Sequence, residues 1–411
     1  MIKLFWREQP LLWILILAAV LRVVWALLVP VIPVSDSAAY EIFAWSLASG
    51  QGYAYADGTL TAYWAPGAAF VYGAFFWLFG ETYLPIVIFQ LLVGVWVVYL
   101  GYRLAGLVLS RNASLLCALF LAVWPVLIQF TTVLASELLF LVPVLLATIL
   151  VFERKTSGLG DWLLFGLLVG VAAYIRPTAL PLLLVLPVMA AFRYRNVRAL
   201  PGWLVVGSVA CALIVAPWSI RNTQLFGEFT TISTNFGPNL WMGNNPESRG
   251  VYQPLAIPDG GFEHEKQRED YFRSLAVTFI KENPGEFLRL GVLRARATFD
   301  RETIGVAWNV EGLQQRFGES QVVLVGLKLV SSGWWYLMLG LAVVGTVFLV
   351  MRERMMLLTN PLFMLAGFFA AFPVIMVGQD RYHMAMIPML AALAAYGCVQ
   401  LSMRFRKSWY L

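Results

Sequence analysis

Long apolar stretches are the feature that most constrains how this chain can fold. Residues 11–32, for example, contain a single charged side chain, that of Arg22. A helix that crosses the roughly 30 Å of hydrocarbon in a bilayer needs about 20 such residues. Of the 411 residues, 60% are hydrophobic and 13% are charged, whereas soluble domains have roughly 45–50% and about 25%. The sequence therefore predicts an all-α integral membrane protein and excludes a soluble, disordered or disulfide-rich secreted protein.

Apolar stretches of this kind recur along the chain and predict a bundle of about ten transmembrane helices. They cover approximately residues 11–32, 84–107, 112–128, 132–152, 161–175, 178–193, 201–219, 326–350, 359–378 and 383–403. The fifth and sixth are short and meet at Arg176 and Pro177.

Basic residues in the connections predict the orientation, because cytoplasmic loops of membrane proteins collect Lys and Arg. If the N-terminus is cytoplasmic, every connection that must also be cytoplasmic is basic. The basic residues of these segments are Lys3, Arg7, Arg103, Arg111, Arg154, Lys155, Arg193, Arg195, Arg198, Arg352, Arg354, Arg404, Arg406 and Lys407. This pattern explains the formal charge of +6, so no nucleic acid partner is expected. We expect a multi-pass membrane protein with both termini in the cytoplasm.

The same orientation places the two longest connections, residues 33–83 and 220–322, on the outer face of the membrane. Within the second of them, apolar spacing predicts one helix over 263–282 and another from 285 to about 300. The chain is therefore divided into an N-terminal transmembrane module at 1–219, which includes the first outer loop at 33–83, an outer loop with short helices at 220–322, and C-terminal transmembrane helices at 323–411.

Charged side chains at the outer ends of the predicted spans are candidates for a site, because an unpaired charge at membrane depth is costly. They are Asp36, Glu137, Arg176, Arg221, Asp380 and Arg381. Carboxylates and guanidiniums at one apolar boundary could supply an acid/base pair and bind a phosphate. Two carboxylates could also hold a divalent cation, so the need for a metal is left open. No motif requires a cofactor.

Several of these residues also have a structural interpretation. Asp36 follows Ser35 and lies one helical turn before Tyr40, so it could cap a helix, act as a base, or do both. Glu137 could be a hydrogen-bonded carboxylate inside the bundle, and Arg22 could pair with another span or meet a lipid phosphate. The aromatic residues of the first outer loop could stack on a sugar or line the membrane interface.

The sequence contains no Walker motif, no GxGxxG, no Ser-His-Asp order and no zinc spacing. A cytosolic nucleotide-driven enzyme is therefore disfavoured. A site on the outer face needs an activated substrate that is present there, and a sugar carried on a polyprenyl phosphate meets this requirement.

Short motifs distributed over most of the chain carry a family resemblance. They are Asp36 with Tyr40, residues 63–67 (YWAPG), 135–140 (ASELLF), 174–179 (YIRPTA), 217–222 (PWSIRN), 239–246 (NLWMGNNP) and 380–382 (DRY). Together they resemble the GT-C glycosyltransferases, and more narrowly the bacterial branch related to protein O-mannosyltransferases and to the aminoarabinose transferases of lipid A.

The resemblance implies a GT-C-type helical bundle with two long extracytoplasmic loops. It also implies inverting transfer of a sugar from a polyprenyl-phosphate donor to a glycan or lipid-linked acceptor. Asp36 would be the general base or the carboxylate that orients the acceptor, and Glu137 is the second catalytic candidate. Candidates for the donor phosphate are Arg221, which is preferred, and Tyr40, Tyr63, Arg176 and Arg381, whereas candidates for lining the substrate are Trp64, Asn222, Asn244, Tyr382 and His383.

The chain departs from both branches of the family. Ala65 and Pro66 stand where aminoarabinose transferases carry a lysine, and Ser37 follows Asp36 where the protein O-mannosyltransferases carry a tandem acidic pair. These motifs therefore support neither a lipid A nor a protein acceptor. A transporter or flippase of a lipid-linked glycan is the alternative function, and a structural or assembly subunit is a third.

Overall fold

The computed structural model of the protein describes residues 2–153, 158–352 and 357–408, and helices dominate these ranges. The helices are α1 (Ile2–Leu28), α2 (Asp36–Ala48), α3 (Gly67–Phe79), α4 (Leu84–Gly106), α5 (Arg111–Ala122), α6 (Pro125–Gln129), α7 (Glu137–Glu153), α8 (Leu159–Ile175), α9 (Leu182–Arg193), α10 (Leu200–Phe226), α11 (Phe236–Gly243), α12 (Glu265–Glu282), α13 (Pro284–Phe299), α14 (Ile304–Trp308), α15 (Val310–Phe317), α16 (Gln321–Arg352), α17 (Pro361–Ile375) and α18 (Ile387–Ser408). Arg154, Lys155 and Arg354, which entered the prediction of orientation, lie outside the described residues.

Each predicted span contains a helix, but the helices differ in their ability to cross a membrane alone. In the described ranges, five are long and apolar enough: Gln9–Leu28, Leu84–Gly106, Val197–Phe226, Gln321–Arg352 and Asp380–Arg404. The pair Arg111–Ala122 and Pro125–Thr132, which is bent by 54°, would make a sixth. The helices at Leu159–Ile175, Pro177–Arg193 and Pro361–Ile375 are apolar but shorter. The all-helical membrane fold is confirmed, and the count of ten crossings stays a prediction.

Glycines allow the long helices to approach each other closely. A Cβ atom on Gly166 of α8 would stand 2.2 Å from the carbonyl oxygen of Gly207 in α10. A Cβ atom on Gly345 of α16 would stand 1.9 Å from the carbonyl oxygen of Leu393 in α18. Lipid gives helices no hydrophobic drive to associate, so close packing through small residues of this kind holds them together.

A proline ends α8 beside the start of α3. Arg176 has extended backbone angles (φ −147°, ψ 116°), because a residue that precedes a proline, here Pro177, is disfavoured in the α conformation. The side chain of Arg176 therefore leaves the helix at its end. A Cβ atom on Gly67, at the start of α3, would stand 2.8 Å from the carbonyl oxygen of Tyr174, so the motifs at 63–67 and 174–179 pack against each other.

The chain between α6 and α7 is buried and partly non-helical, and one tyrosine satisfies its backbone. The hydroxyl of Tyr72 donates a hydrogen bond to the carbonyl oxygen of Ala135 (2.6 Å) and accepts one from the amide of the same residue (3.1 Å). Irregular backbone at membrane depth is tolerated only where protein groups satisfy it in this way. The contact lies two residues before Glu137, where α7 begins.

Both outer loops contain helices. In the second loop, α12 and α13 confirm the two helices predicted over 263–282 and from 285 to about 300. In the first loop, α2 and α3 form a hairpin in which a Cβ atom on Gly73 would stand 2.9 Å from the carbonyl oxygen of Ala44. The sequence did not predict α3, because its 13 apolar residues are too few for a span and were assigned to the loop.

The crossing of α16 and α18 gives a first prediction. Gly345→Ala forces the two backbones apart, and overpacking of this kind costs about 1–3 kcal/mol, so the melting temperature of the detergent-solubilised protein should fall. Gly340→Ala in the same helix is the control, because a Cβ atom there meets nothing within 4 Å and alanine favours a helix. Equal melting temperatures for the two variants would contradict the close crossing.

Candidate active site

Asp36 and Arg381 form an ion pair between α2 and the 3₁₀-helix that precedes α18. Asp36 is the first residue of α2, one position after the N-cap Ser35, whose φ is +54° and whose side chain makes no capping hydrogen bond. The Oδ2 atom of Asp36 accepts a hydrogen bond of 2.5 Å from a terminal nitrogen of Arg381. The two side chains are 25% and 15% exposed, so the carboxylate is paired and still accessible to a substrate.

Glu137 and Arg176 form a second ion pair. The Oε1 atom of Glu137 lies 3.1 Å from a terminal nitrogen of Arg176, and the carboxylate is almost completely buried. Glu137 occupies the first turn of α7, where the helix dipole favours a negative charge. Its depth suits it to positioning Arg176 more than to contact with a substrate.

Tyr382 connects the two ion pairs. Its ring centroid lies 5.1 Å from the guanidinium carbon of Arg381 and 5.8 Å from that of Arg176. Both distances are within the range of cation–π attraction. Arg381 also lies over the ring of Trp308, at 5.2 Å. Two cations and two carboxylates from four separate parts of the chain therefore meet around one aromatic ring.

Tyr40 lies on α2 beside the second ion pair and is buried. Burial, together with the charge of Glu137, raises the pKa of Tyr40 to about 12, against the opposing effect of the hydroxyl of Ser136. The phenol therefore keeps its proton near neutral pH, so Tyr40 can act as a hydrogen-bond donor.

Arg221, the preferred phosphate ligand from the sequence, has other partners. It donates hydrogen bonds to the carbonyl oxygens of Thr61 (2.6 Å) and Tyr53 (3.3 Å) and to the side chain of Asn222 (3.0 Å). Its guanidinium also lies over Trp218, at 4.6 Å. These contacts hold the first outer loop on the end of α10 and engage both terminal nitrogens of Arg221 with protein oxygens.

Glu265, which the sequence analysis did not single out, joins the two outer loops. As the first residue of α12, it accepts hydrogen bonds from the hydroxyl of Thr61 (2.6 Å) and the amide of Ala62 (2.9 Å) in the first loop. It also accepts one from the hydroxyl of Thr234 (3.2 Å). The position of Glu265 near the start of a predicted helix is visible in the sequence. Its role is not, because the groups that it binds are distant in sequence.

The remaining candidates divide by exposure. Tyr63, Trp64 and Tyr382 are partly exposed, and the guanidinium of Arg268 lies 5.3 Å from the ring of Tyr63. The structure instead buries three residues that were expected to line the substrate, which are Asn222, Asn244 and His383. They brace the backbone, because Asn222 donates to the carbonyl of Thr231, Asn244 to those of Leu240 and Ile375, and His383 contacts that of Thr298.

A divalent cation does not fit the two candidate carboxylates well. Asp36 and Glu137 each already face an arginine. Over the described ranges of the chain, no group of three His, Cys, Asp or Glu side chains is arranged to hold a metal ion.

Comparisons with known proteins connect this geometry to a fold. Residues 64–220 match the family model described as dolichyl-phosphate-mannose-protein mannosyltransferase. The sequence has no significant match among curated proteins. Two structures of the oligosaccharyltransferase AglB from Archaeoglobus fulgidus are similar, each with a TM-score of 0.57 over 98% of this chain and 51% of that chain. One is the complex with an inhibitory peptide and a dolichol-phosphate, at 14% identity, and the other is the apo form, at 15%.

A third similar structure is ArnT from Cupriavidus metallidurans bound to undecaprenyl phosphate, with a TM-score of 0.47 and 15% identity over 94% of this chain and 77% of that chain. The AglB matches confirm the expected GT-C-type fold. The chain spans about half the length of AglB.

The role of Glu265 can be tested without any substrate. Glu265→Ala leaves four donors of the outer loops without this acceptor, the fourth being the hydroxyl of Tyr55 (3.3 Å), at a cost of about 1–3 kcal/mol. Opening of the first outer loop should then rise by roughly ten- to hundredfold, measured as faster chymotryptic cleavage at Tyr53, Tyr55 and Tyr63. The exposed Glu263, two residues earlier, gives the control Glu263→Ala. Unchanged cleavage in Glu265→Ala would show that the loop is held without this carboxylate.

Proposed function

We propose that this protein is an inverting glycosyltransferase that moves a sugar from a polyprenyl-phosphate donor to a hydroxyl of a glycan or lipid-linked acceptor. The observation that carries the proposal is the partly exposed Asp36–Arg381 ion pair, which puts a carboxylate beside a guanidinium. The shared fold with AglB, one structure of which contains a dolichol-phosphate, supports it. So does the matched family, whose description names a dolichyl-phosphate sugar.

In the proposed reaction, the acceptor hydroxyl attacks the anomeric carbon from the face opposite the phosphate. The new glycosidic bond forms while the bond from the anomeric carbon to the phosphate oxygen breaks, and polyprenyl phosphate leaves with the bonding electrons. Asp36 takes the proton of the acceptor hydroxyl, as a general base does in such transfers. Its partial exposure allows the hydroxyl to approach it.

Arg381 is the proposed ligand of the phosphate that leaves. A guanidinium has five N–H donors, and one terminal nitrogen of Arg381 donates to Asp36. The other terminal nitrogen donates to the hydroxyl of Tyr382 (3.4 Å), and Nε is buried without a partner. Each terminal nitrogen carries two hydrogens and uses one of them in these bonds. Donors therefore remain for phosphate oxygens, whose growing negative charge a fixed cation stabilises. Arg176 and Tyr40 would assist from the second ion pair, and Glu137 would hold Arg176 in place.

The proposed setting is the outer face of a bacterial inner membrane, with both termini in the cytoplasm. The charge pattern of the loops supports this orientation. Partners would be the bilayer, the lipid-linked sugar and the acceptor. No step of the proposed reaction is routed through a metal ion.

Replacement of the proposed base gives the central prediction. Asp36→Asn keeps the shape of the side chain and removes its basicity, so transfer should fall by about 10²–10⁴-fold while polyprenyl phosphate still binds. Release of polyprenyl phosphate from a short-chain polyprenyl-phosphate sugar, in the presence of an acceptor, is the measurement. Asp57→Asn is the control, because Asp57 lies exposed in the same outer loop.

Three outcomes would count against this function. Normal turnover in Asp36→Asn would remove Asp36 from the chemistry. Dependence on a nucleotide sugar would rule out the proposed donor. Movement of a lipid-linked glycan across a vesicle membrane, with no sugar transferred, would favour the transporter.

Two arginine variants distinguish the phosphate ligand from the loop anchor. Arg381→Gln removes a charge-assisted contact worth about 1.5–3 kcal/mol, so inhibition of transfer by free polyprenyl phosphate should weaken roughly ten- to hundredfold. Arg221→Gln should change this inhibition by less than about threefold, since Arg221 faces protein carbonyls. The reverse order would restore Arg221 as the phosphate ligand.

A further inference from the structure

The short helix that carries Arg381 and Tyr382 has a second, buried face. Residues Asp380–Met386 form a 3₁₀-helix, in which side chains at positions i and i+3 lie above each other. Asp380 and His383 therefore share one face, and Arg381 points away from it. Asp380 is 7% exposed and His383 is 0% exposed.

Asp380 attaches one end of this helix to the link between α13 and α14. Its Oδ2 atom accepts hydrogen bonds from the amide (2.8 Å) and the hydroxyl (3.0 Å) of Thr303. Thr303 is the N-cap of α14. These hydrogen bonds therefore tie Asp380, the residue before Arg381, to the start of α14.

His383 attaches the same helix to the same link one turn later. Its Nδ1 atom lies 2.8 Å from the carbonyl oxygen of Thr298, and its Nε2 atom lies 3.3 Å from Oε1 of Glu302. Its ring stacks on Trp335 with centroids 3.9 Å apart and 9° between the planes. Because a carbonyl oxygen only accepts, Nδ1 must be protonated, and a second proton must lie between Nε2 and the carboxyl of Glu302.

Glu302 is as completely buried as His383. Besides His383, its two oxygens face the indole nitrogen of Trp124, at 2.9 and 3.2 Å. Burial raises the pKa of Glu302, and the hydrogen bond from His383 opposes that shift. A buried carboxyl that is fully hydrogen-bonded gives a rigid point of attachment, whereas a half-satisfied one is costly.

We propose that Glu302 and His383 are positioning residues, which hold the 3₁₀-helix so that Arg381 meets Asp36. This assignment rests on the proposed function for its effect on transfer. Neither residue touches the ion pair, so both act through Arg381. The two residues work by hydrogen bonding, and the positioning therefore survives any change that keeps the bond between position 302 and His383.

Two substitutions of Glu302 separate hydrogen bonding from charge. Glu302→Gln keeps a donor for Nε2 and an acceptor for Trp124, and should retain most of the transfer rate. Glu302→Leu has a similar size without these groups, and should lower the rate by about tenfold or more. Gly345→Ala controls for lost stability, because that glycine lies at the crossing of α16 and α18, and should leave the rate near that of the unaltered protein.

A double-mutant cycle tests whether the effect passes through Arg381. In the Arg381→Gln background, Glu302→Leu should lower the transfer rate by less than about a further twofold. The reason is that the group which Glu302 positions is already absent. A loss as large as in the unaltered background would overturn the assignment, and so would a loss in Glu302→Gln equal to that in Glu302→Leu. If Glu302→Leu does not fold, His383→Phe, which keeps a ring against Trp335, takes its place in the cycle.

Chemical labelling tests the positioning independently of catalysis. Phenylglyoxal modification of Arg381, read by peptide mass against Arg221 in the same sample, should rise several-fold in Glu302→Leu and stay unchanged in Glu302→Gln. Unchanged labelling in Glu302→Leu would overturn the positioning role. If the unaltered protein transfers no sugar, the proposed function fails. The labelling of Arg381 still tests whether Glu302 and His383 hold the 3₁₀-helix in place.

Discussion

The ion pair between Asp36 and Arg381 is the interaction on which the candidate site depends, because it joins residues 345 positions apart in the chain. At the edge of a membrane, each charge would be costly alone. Together they bring the first outer loop to the start of the last helix. The contacts made by Glu265, Arg221 and Glu302 are best understood as supports for this junction, since each fixes the backbone of a segment that leads to it.

Breaks in apolar helices decide where charged side chains can be placed. Glu137 begins α7 after a buried non-helical segment, and Arg176 ends α8 because Pro177 follows it. A side chain at a helix end can turn toward a partner on another helix, and the exposed dipole of the end favours a suitable charge. The second ion pair therefore forms where the start of α7 and the end of α8 lie next to each other.

The helices could be predicted well from the sequence, because apolar length and helical spacing are local properties. The members of the site could be predicted only as a set of charges on one side of the membrane. Which carboxylate faces which arginine depends on packing between distant segments, and a single sequence does not contain that information. For the same reason, Arg221 was preferred over Arg381, His383 was expected at a substrate surface, and Glu265 and Glu302 were missed.

Arg22 shows that a charge inside the bundle is not by itself the sign of a site. It is completely buried in α1, and it donates hydrogen bonds to the carbonyl oxygens of Ala18 (3.0 Å) and Ala122 (3.4 Å). Ala122 is the last residue of α5, whose carbonyl end carries a partial negative charge. Arg22 therefore joins α1 to the end of α5 through one terminal nitrogen, while its Nε and its other terminal nitrogen have no hydrogen-bond partner. Asp36 and Arg381 differ from it in being partly exposed, and that accessibility, more than charge, is what distinguishes a site from a support.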